Sequence, residues 1–173
     1  MSAKTFLAVV HDLGASIASS GFSKLALYNT HGGNTSLVDV IARDLRADFG
    51  LRTFTLFGSA GASFEEVSPQ ERAYGFHAGE IETAFLLHAF PELVHSGEFT
   101  SNYIARLGEA DILKPEGSAA NFAWVTKDIA PSGVLGDPTL ATAEKGRRWA
   151  DLAAARIEEA LIAMYQFEPR HGV

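Results

Sequence analysis

The chain contains no cysteine. Disulfides and thiolate metal sites are therefore excluded, and any metal would have to be held by His, Asp, Glu and water. The absence also fits a reducing compartment, so the cytoplasm is the expected location. Basic residues are scarce. Fourteen Lys and Arg stand against 21 Asp and Glu, a formal net charge of −7, with no basic run anywhere. That composition argues against nucleic acid or an anionic membrane as a partner. Long hydrophobic runs are missing as well. Phe6-Leu7-Ala8-Val9-Val10 is stopped by His11 and Asp12, too early for a signal-peptide core or a membrane span. No repeats, heptads or low-complexity tracts occur. What remains is ordinary: 47% apolar and 20% charged residues over 173 positions. This predicts a single domain over 1–173, long enough to bury a core.

Phe6, Val9, Val10, Leu13 and Ile17 recur at helical spacing, which predicts an amphipathic helix over 3–20 with Ser2 as N-cap and Gly21 closing it. Leu25 to Tyr28 reads as a buried strand. Leu37, Val38, Ile41, Ala42 and Leu45 give a second helical stripe ended near Gly50. Arg52 to Phe57 is rich in strand formers and stops at Gly58. Residues 58–76 read as a long loop with a turn of helix at 68–73, and loops of that length are often functional. A helix is expected from Gly79 to Phe90. Residues 92–119 read as mostly irregular, and Asn121 to Thr126 as a further strand. A long helix, 141–165, closes the chain with Trp149 in its core stripe. Asp137-Pro138 is expected to begin that helix as a capping pair. The alternation of helix and strand predicts an α/β fold.

Two stretches carry candidate chemistry. The first is Asn29-Thr30-His31-Gly32-Gly33-Asn34, a polar turn directly after a strand. In open α/β sheets ligands sit beyond the carboxyl ends of strands, where such turns cluster. His31 is either a metal-binding or catalytic imidazole or a turn residue that only hydrogen-bonds; Gly32, Gly33 and Asn34 serve a bound group or simply form the turn. The second is Phe76-His77-Ala78-Gly79-Glu80-Ile81-Glu82-Thr83. Glu80 and Glu82 stand at a helix start, where the dipole favours carboxylates whatever else they do. His77 precedes that helix as a general acid/base or a turn cap. His11, His88, His95 and His171 lack partner spacing, so solvated or structural roles are expected of them.

Taken together, "NTHGGN" after a strand, "FHAGEIET" at a helix start and "SGVLGDPTLATAEKG" before a long helix resemble the creatininase (creatinine amidohydrolase) family. The branch most similar holds the formamidopyrimidine deformylases and the mycofactocin-precursor peptidase, which carry a His-Gly-Gly-Asn turn. Creatininase itself places Tyr-Glu after the histidine, where Gly32-Gly33 stand here. The resemblance implies a three-layer α/β/α sandwich with a mostly parallel sheet. It further implies metal-dependent hydrolysis of a non-peptide or cyclic amide C–N bond, a small-molecule amide substrate, and a homo-oligomer, hexameric in the family. Zinc, manganese or iron would activate a water. Residue by residue, His31 matches the metal-binding histidine and His77 the histidine that moves protons at the scissile bond. Glu80 is the first choice for the missing metal carboxylate and Glu82 the second, with Gly32, Gly33 and Asn34 at the substrate. Thr30 and Ala84 stand where the family usually has Gly and Ser.

The family's first segment, a Glu-x-His-Gly run followed by an Asp, is absent before His31. That segment supplies three metal ligands and the sheet's first strand. His31, Glu80 and Glu82 cannot fill two ions, so the chain is expected to bind metal weakly and to hydrolyse little unless another chain completes the site. The alternative is a non-catalytic or split-subunit relative serving assembly or small-molecule binding. Without the first strand a sheet edge would stay unpaired and invite another chain. Sedimentation of the purified protein is accordingly expected to show an oligomer, and a monodisperse monomer would contradict this.

Overall fold

The structure, a computed structural model, describes residues 1–104, 112–116 and 118–168. Its elements run α1 (Ala3–Ser19), β1 (Lys24–Asn29), α2 (Thr35–Phe49), β2 (Arg52–Phe57), α3 (Pro69–Tyr74), α4 (Glu80–Ala89), β3 (Leu113–Lys114), β4 (Ala120–Asn121), α5 (Thr126–Ile129) and α6 (Ala143–Gln166). They fall into two compact units: residues 1–62 with 152–173, and residues 63–151. No helix among the described residues is long and apolar enough to cross a membrane.

In the first unit β1 and β2 form a parallel ladder, Lys24 opposite Arg52 through Asn29 opposite Phe57. A parallel pair needs a crossover, and α2 supplies it. Side chains alternate along each strand. Leu25 and Leu27 pack against a buried cluster of Ile41, Leu45 and Leu51, which Leu7 and Val10 of α1 also cover. On the opposite face Lys24 and Arg52, in register with each other, both reach the Glu168 carboxylate, at 3.1 and 2.6 Å. Phe54 on that face meets the Phe167 ring edge-on at 5.6 Å. The capping chemistry works as read: the Ser2 side chain accepts the Thr5 N–H, and Gly50 ends α2 at φ 69°, where glycine is at ease.

The second unit has little regular sheet. β3 and β4 pair in parallel over two residues each. Its core gathers Phe64, stacked on Trp149 at 5.2 Å and edge-on to Phe85 at 6.0 Å, with Val67, Ala84, Ala130 and Leu135 also buried. Two expectations need correcting here. The strand over Asn121 to Thr126 ends at Asn121, whose amide turns back to the Ser118 carbonyl. Val125 N–H then bonds the Asp128 carboxylate, which starts α5 instead. Asp137-Pro138 does not begin the long helix but opens a single 3₁₀ turn over Pro138–Leu140, with Asp137 accepting the Thr139 N–H. Thr142 Oγ1 takes the Lys145 N–H at 3.1 Å, and α6 follows from Ala143.

Two helical glycines mark close approaches of different kinds. A Cβ on Gly14 would meet only the flexible end of the Leu45 side chain, whereas one on Gly146 would run into the Ala84 carbonyl of α4. Alanine gains ~1 kcal/mol of helix propensity at either site; overpacking costs about 1–3 kcal/mol. Gly146→Ala is therefore expected to lower the urea midpoint more than Gly14→Ala, because backbone cannot step aside, and equal midpoints would contradict that.

Candidate functional site

Each unit carries one of the two motifs. In the first, β1 ends on Asn29, which is buried, and its amide organises the turn. Asn29 Oδ1 accepts the His31 N–H at 3.2 Å and Nδ2 donates to the His31 carbonyl at 3.0 Å. Gly32–Asn34 form one 3₁₀ turn, and the Asn34 N–H closes onto the His31 carbonyl at 3.0 Å. The backbone of His31 is thus held on both sides while the residue stays exposed. Gly33 leaves room for its ring: a Cβ there would lie 3.0 Å from His31 Nε2. A cavity of about 360 Å³ lies beside the turn, lined by His31, Asn34 and Tyr28 with Phe6, Val10 and Val38.

In the second unit the backbone of His77 pairs with Leu135: His77 N–H to Leu135 O at 3.1 Å, and Leu135 N–H to His77 O at 2.8 Å. Ala78 follows at φ 52°, a left-handed conformation costly for a residue with a Cβ. That turn brings the Ala78 N–H onto Glu82 Oε2 at 2.5 Å and places the same oxygen 3.6 Å from His77 Nδ1. His77 and Glu82 are each about half exposed.

The two carboxylates of the helix start have parted. Glu82 faces solvent beside His77, while Glu80 is 1% exposed and turned onto Lys145, Oε1 to Nζ at 2.6 Å. Its Oε2 is buried without a hydrogen-bond partner among the described residues. Lys145 keeps 24% of its side chain exposed, so the pair is part-buried and Glu80 is the member turned inward.

A third acid, which stands in neither motif, lies beneath. Glu71 of α3 is 3% exposed. Its Oε1 accepts the Glu80 N–H at 2.7 Å; its Oε2 accepts the Tyr103 hydroxyl at 2.8 Å and the Asp137 N–H at 3.0 Å. The signal on offer pointed elsewhere. Ser68-Pro69-Gln70-Glu71 reads as a capping box, and Ser68 does accept the Glu71 N–H at 3.1 Å, but the Glu71 carboxylate goes inward instead of back to Ser68. Of the other histidines, His11 Nε2 lies 2.9 Å from Asp48 and its ring tilts onto Phe49, a structural role. His88 and His95 are exposed, and His171 lies outside the described residues.

Among the described residues no three His, Asp or Glu side chains come together as a group that could hold a metal ion.

Residues 1–161 match the family model for creatininase, creatinine amidohydrolase. The chain belongs to the creatininase family. It is 36% identical over 126 residues to the mycofactocin precursor peptide peptidase of Mycobacterium ulcerans (strain Agy99), a match covering 72% of this chain and 42% of that protein. A putative creatinine amidohydrolase from Bacteroides fragilis NCTC 9343 superposes with a TM-score of 0.75 at 28% identity, covering 99% of this chain and 65% of that one. Creatininases solved in a manganese form and a zinc–zinc form each align at 22% identity with a TM-score of 0.66, over 98% of this chain and 66% of theirs. A creatininase complexed with creatine aligns at 21% with a TM-score of 0.68, over 96% and 67%. The chain thus spans less than half the length of the curated peptidase and about two thirds of the solved relatives. This creatininase-family fold carries the expected parallel strands.

Tyr103 offers a direct check on the buried cluster. Burial, then its hydrogen bond to Glu71 and the charges of Glu71, Asp137 and Glu80, push its phenol far above the ordinary value. A raised folded pKa contributes stability that is complete below the unfolded phenol pKa, ~10, and lost as pH climbs through the folded value. Of the four tyrosines, Tyr103 is expected to ionise last in a tyrosinate absorbance titration. Tyr103→Phe should delete that late component and leave the earlier ones.

Proposed function

We propose that this chain serves the hydrolysis of a small amide, breaking a non-peptide or cyclic amide C–N bond with His77 and Glu82 as its proton-handling pair. The supporting observation is the turn at Ala78, which sets Glu82 Oε2 3.6 Å from His77 Nδ1 while both side chains stay open to solvent. A carboxylate at that distance orients the ring, leaving Nε2 as the nitrogen turned away from it. In that role His77 takes a proton from the attacking water and returns it to the leaving nitrogen, so the protons balance. The creatine complex of a family member is in keeping with a small-molecule ligand.

His31 belongs to this reading as an imidazole available to a divalent cation, zinc, manganese or iron. Gly32, Gly33 and Asn34 would then shape the substrate's approach to that turn. The described side chains do not gather around such an ion. Glu82 is preferred over Glu80 as the working acid because Lys145 holds Glu80 inside. The accompanying fold is a three-layer α/β/α sandwich with a mostly parallel sheet, assembled as a homo-oligomer. A second reading, a split-subunit or non-catalytic relative, is favoured by one observation: the lack of a metal-holding group among the described residues.

Metal analysis of the dialysed protein followed by a screen of creatinine, cyclic amides and formamides separates the two. Hydrolysis that falls at least ~100-fold in His77→Gln and strongly in Glu82→Gln supports the first. No turnover of any probe, with or without added zinc or manganese, supports the second.

A further inference from the structure

The Glu71 carboxylate sits where three otherwise separate pieces of backbone meet. Through Oε1 it holds the first N–H of α4, at Glu80, a helix whose own N-cap, Gly79, has no side chain to offer. Through Oε2 it holds Tyr103 and the N–H of Asp137. These pieces are tied to one another beside it: Leu135 bridges His77, and Gly136 bridges Asn102 with N···O distances of 2.7 and 2.9 Å. The space around the carboxylate is cut to fit. A Cβ on Gly75, Gly79 or Gly136 would in each case fall on the Glu71 carboxyl group. His77 lies between two of these anchored points, since its own backbone pairs with Leu135 and the helix that presents Glu82 begins at the N–H that Glu71 accepts.

We infer that Glu71 is a positioning residue, the buried acceptor that fixes the start of α4 against the 135–137 segment and so sets His77 and Glu82 at their working separation. Only a carboxylate suits the task. Three donors converge on it, and an ionised carboxyl has acceptor capacity on both oxygens, whereas a glutamine would turn an N–H₂ toward at least one N–H or O–H. The charge also explains how so many convergent donors are tolerated in the interior, because charge-assisted bonds are about twice as strong as neutral ones. Losing it releases the helix start first, since among the described residues Glu80 N–H has no other acceptor. Glu82, two residues on, then loses the fixed reach that its bond to Ala78 N–H needs. This assignment rests on the proposed His77–Glu82 pair, and the test separates the two.

The test is a double-mutant cycle on this chain, read by the ¹⁵N shift of His77 Nδ1 in mildly alkaline buffer. In the unaltered protein Glu82→Gln should move that shift. In a Glu71→Gln background the same change should move it by less than half as much. Glu71→Asp keeps the charge but draws the carboxylate back by one methylene, and it should give an intermediate response; it also serves as the second variant should Glu71→Gln not fold. A Glu82→Gln effect of full size in either folded Glu71 variant overturns the inference, because a residue that merely adds stability would lower the melting temperature and leave the His77–Glu82 coupling whole. No effect of Glu82→Gln in the unaltered chain overturns the pair, and Glu71's role with it. Lost coupling in Glu71→Gln alongside undiminished amide hydrolysis by His77→Gln supports the positioning role and removes His77 from the chemistry instead.

Discussion

A carboxylate shut away from water must be met by donors from whatever chain lies around it. In the residue 63–151 unit that requirement falls on backbone that has little sheet to hold it. The stretches around residues 77–80, 102–103 and 135–137 form isolated bridges instead of long ladders, and the ionised Glu71 serves them as a common acceptor. A β-ladder spreads its hydrogen bonds along a strand; here several of them converge on one side chain. Such a network is strong when every member is satisfied and costly when one is missing. The glycines at 75, 79 and 136 follow from the same geometry, since the carboxyl group occupies the space their side chains would take.

Glu80 shows how the interior and the surface of one helix turn divide the chemistry. Residues two apart on a helix lie on nearly opposite sides, so Glu80 and Glu82 cannot both face one ligand with equal ease. Glu80 shares its side with Thr83 and Ala84, all buried, and Lys145 from α6 neutralises it there. Glu82 takes the outer side with His77. The sequence motif reads as one acidic cluster; the structure uses its members for different ends.

Much of the local architecture is legible from residue order. α1 with its Ser2 cap, α2 ended by Gly50, β2 and the buried Trp149 all follow from hydrophobic period and turn chemistry, which act over a few residues; β1 forms where expected but is half-buried instead of buried, with Tyr28 exposed. The errors share a cause. Asn121–Thr126 has the composition of a strand, but Asp128 captures the Val125 N–H and starts a helix. Asp137 looks like the cap of the long helix, yet it is spent on a turn of its own while its N–H is drawn to Glu71. In both cases a side-chain-to-backbone bond outcompetes the periodic signal. Of the site, the positions of His31, His77 and the two glutamates were readable as motifs. Glu71 was not, because its partners lie 9, 32 and 66 residues further along the chain and its local setting resembles an ordinary capping box. Lys145 hides in the same way, its partner Glu80 being 65 positions earlier.

At His31 the neighbour that bears most directly on the ring is the one that adds no atoms. The backbone of the turn is locked by Asn29, so the imidazole has freedom only in its own two torsions, and the empty space over Gly33 is what lets Nε2 settle where it does. Evolution can therefore tune this nitrogen through volume alone, without altering any polar group. A side chain at 33 would press on Nε2, and the ring would have to give by a few tenths of an ångström to keep its place.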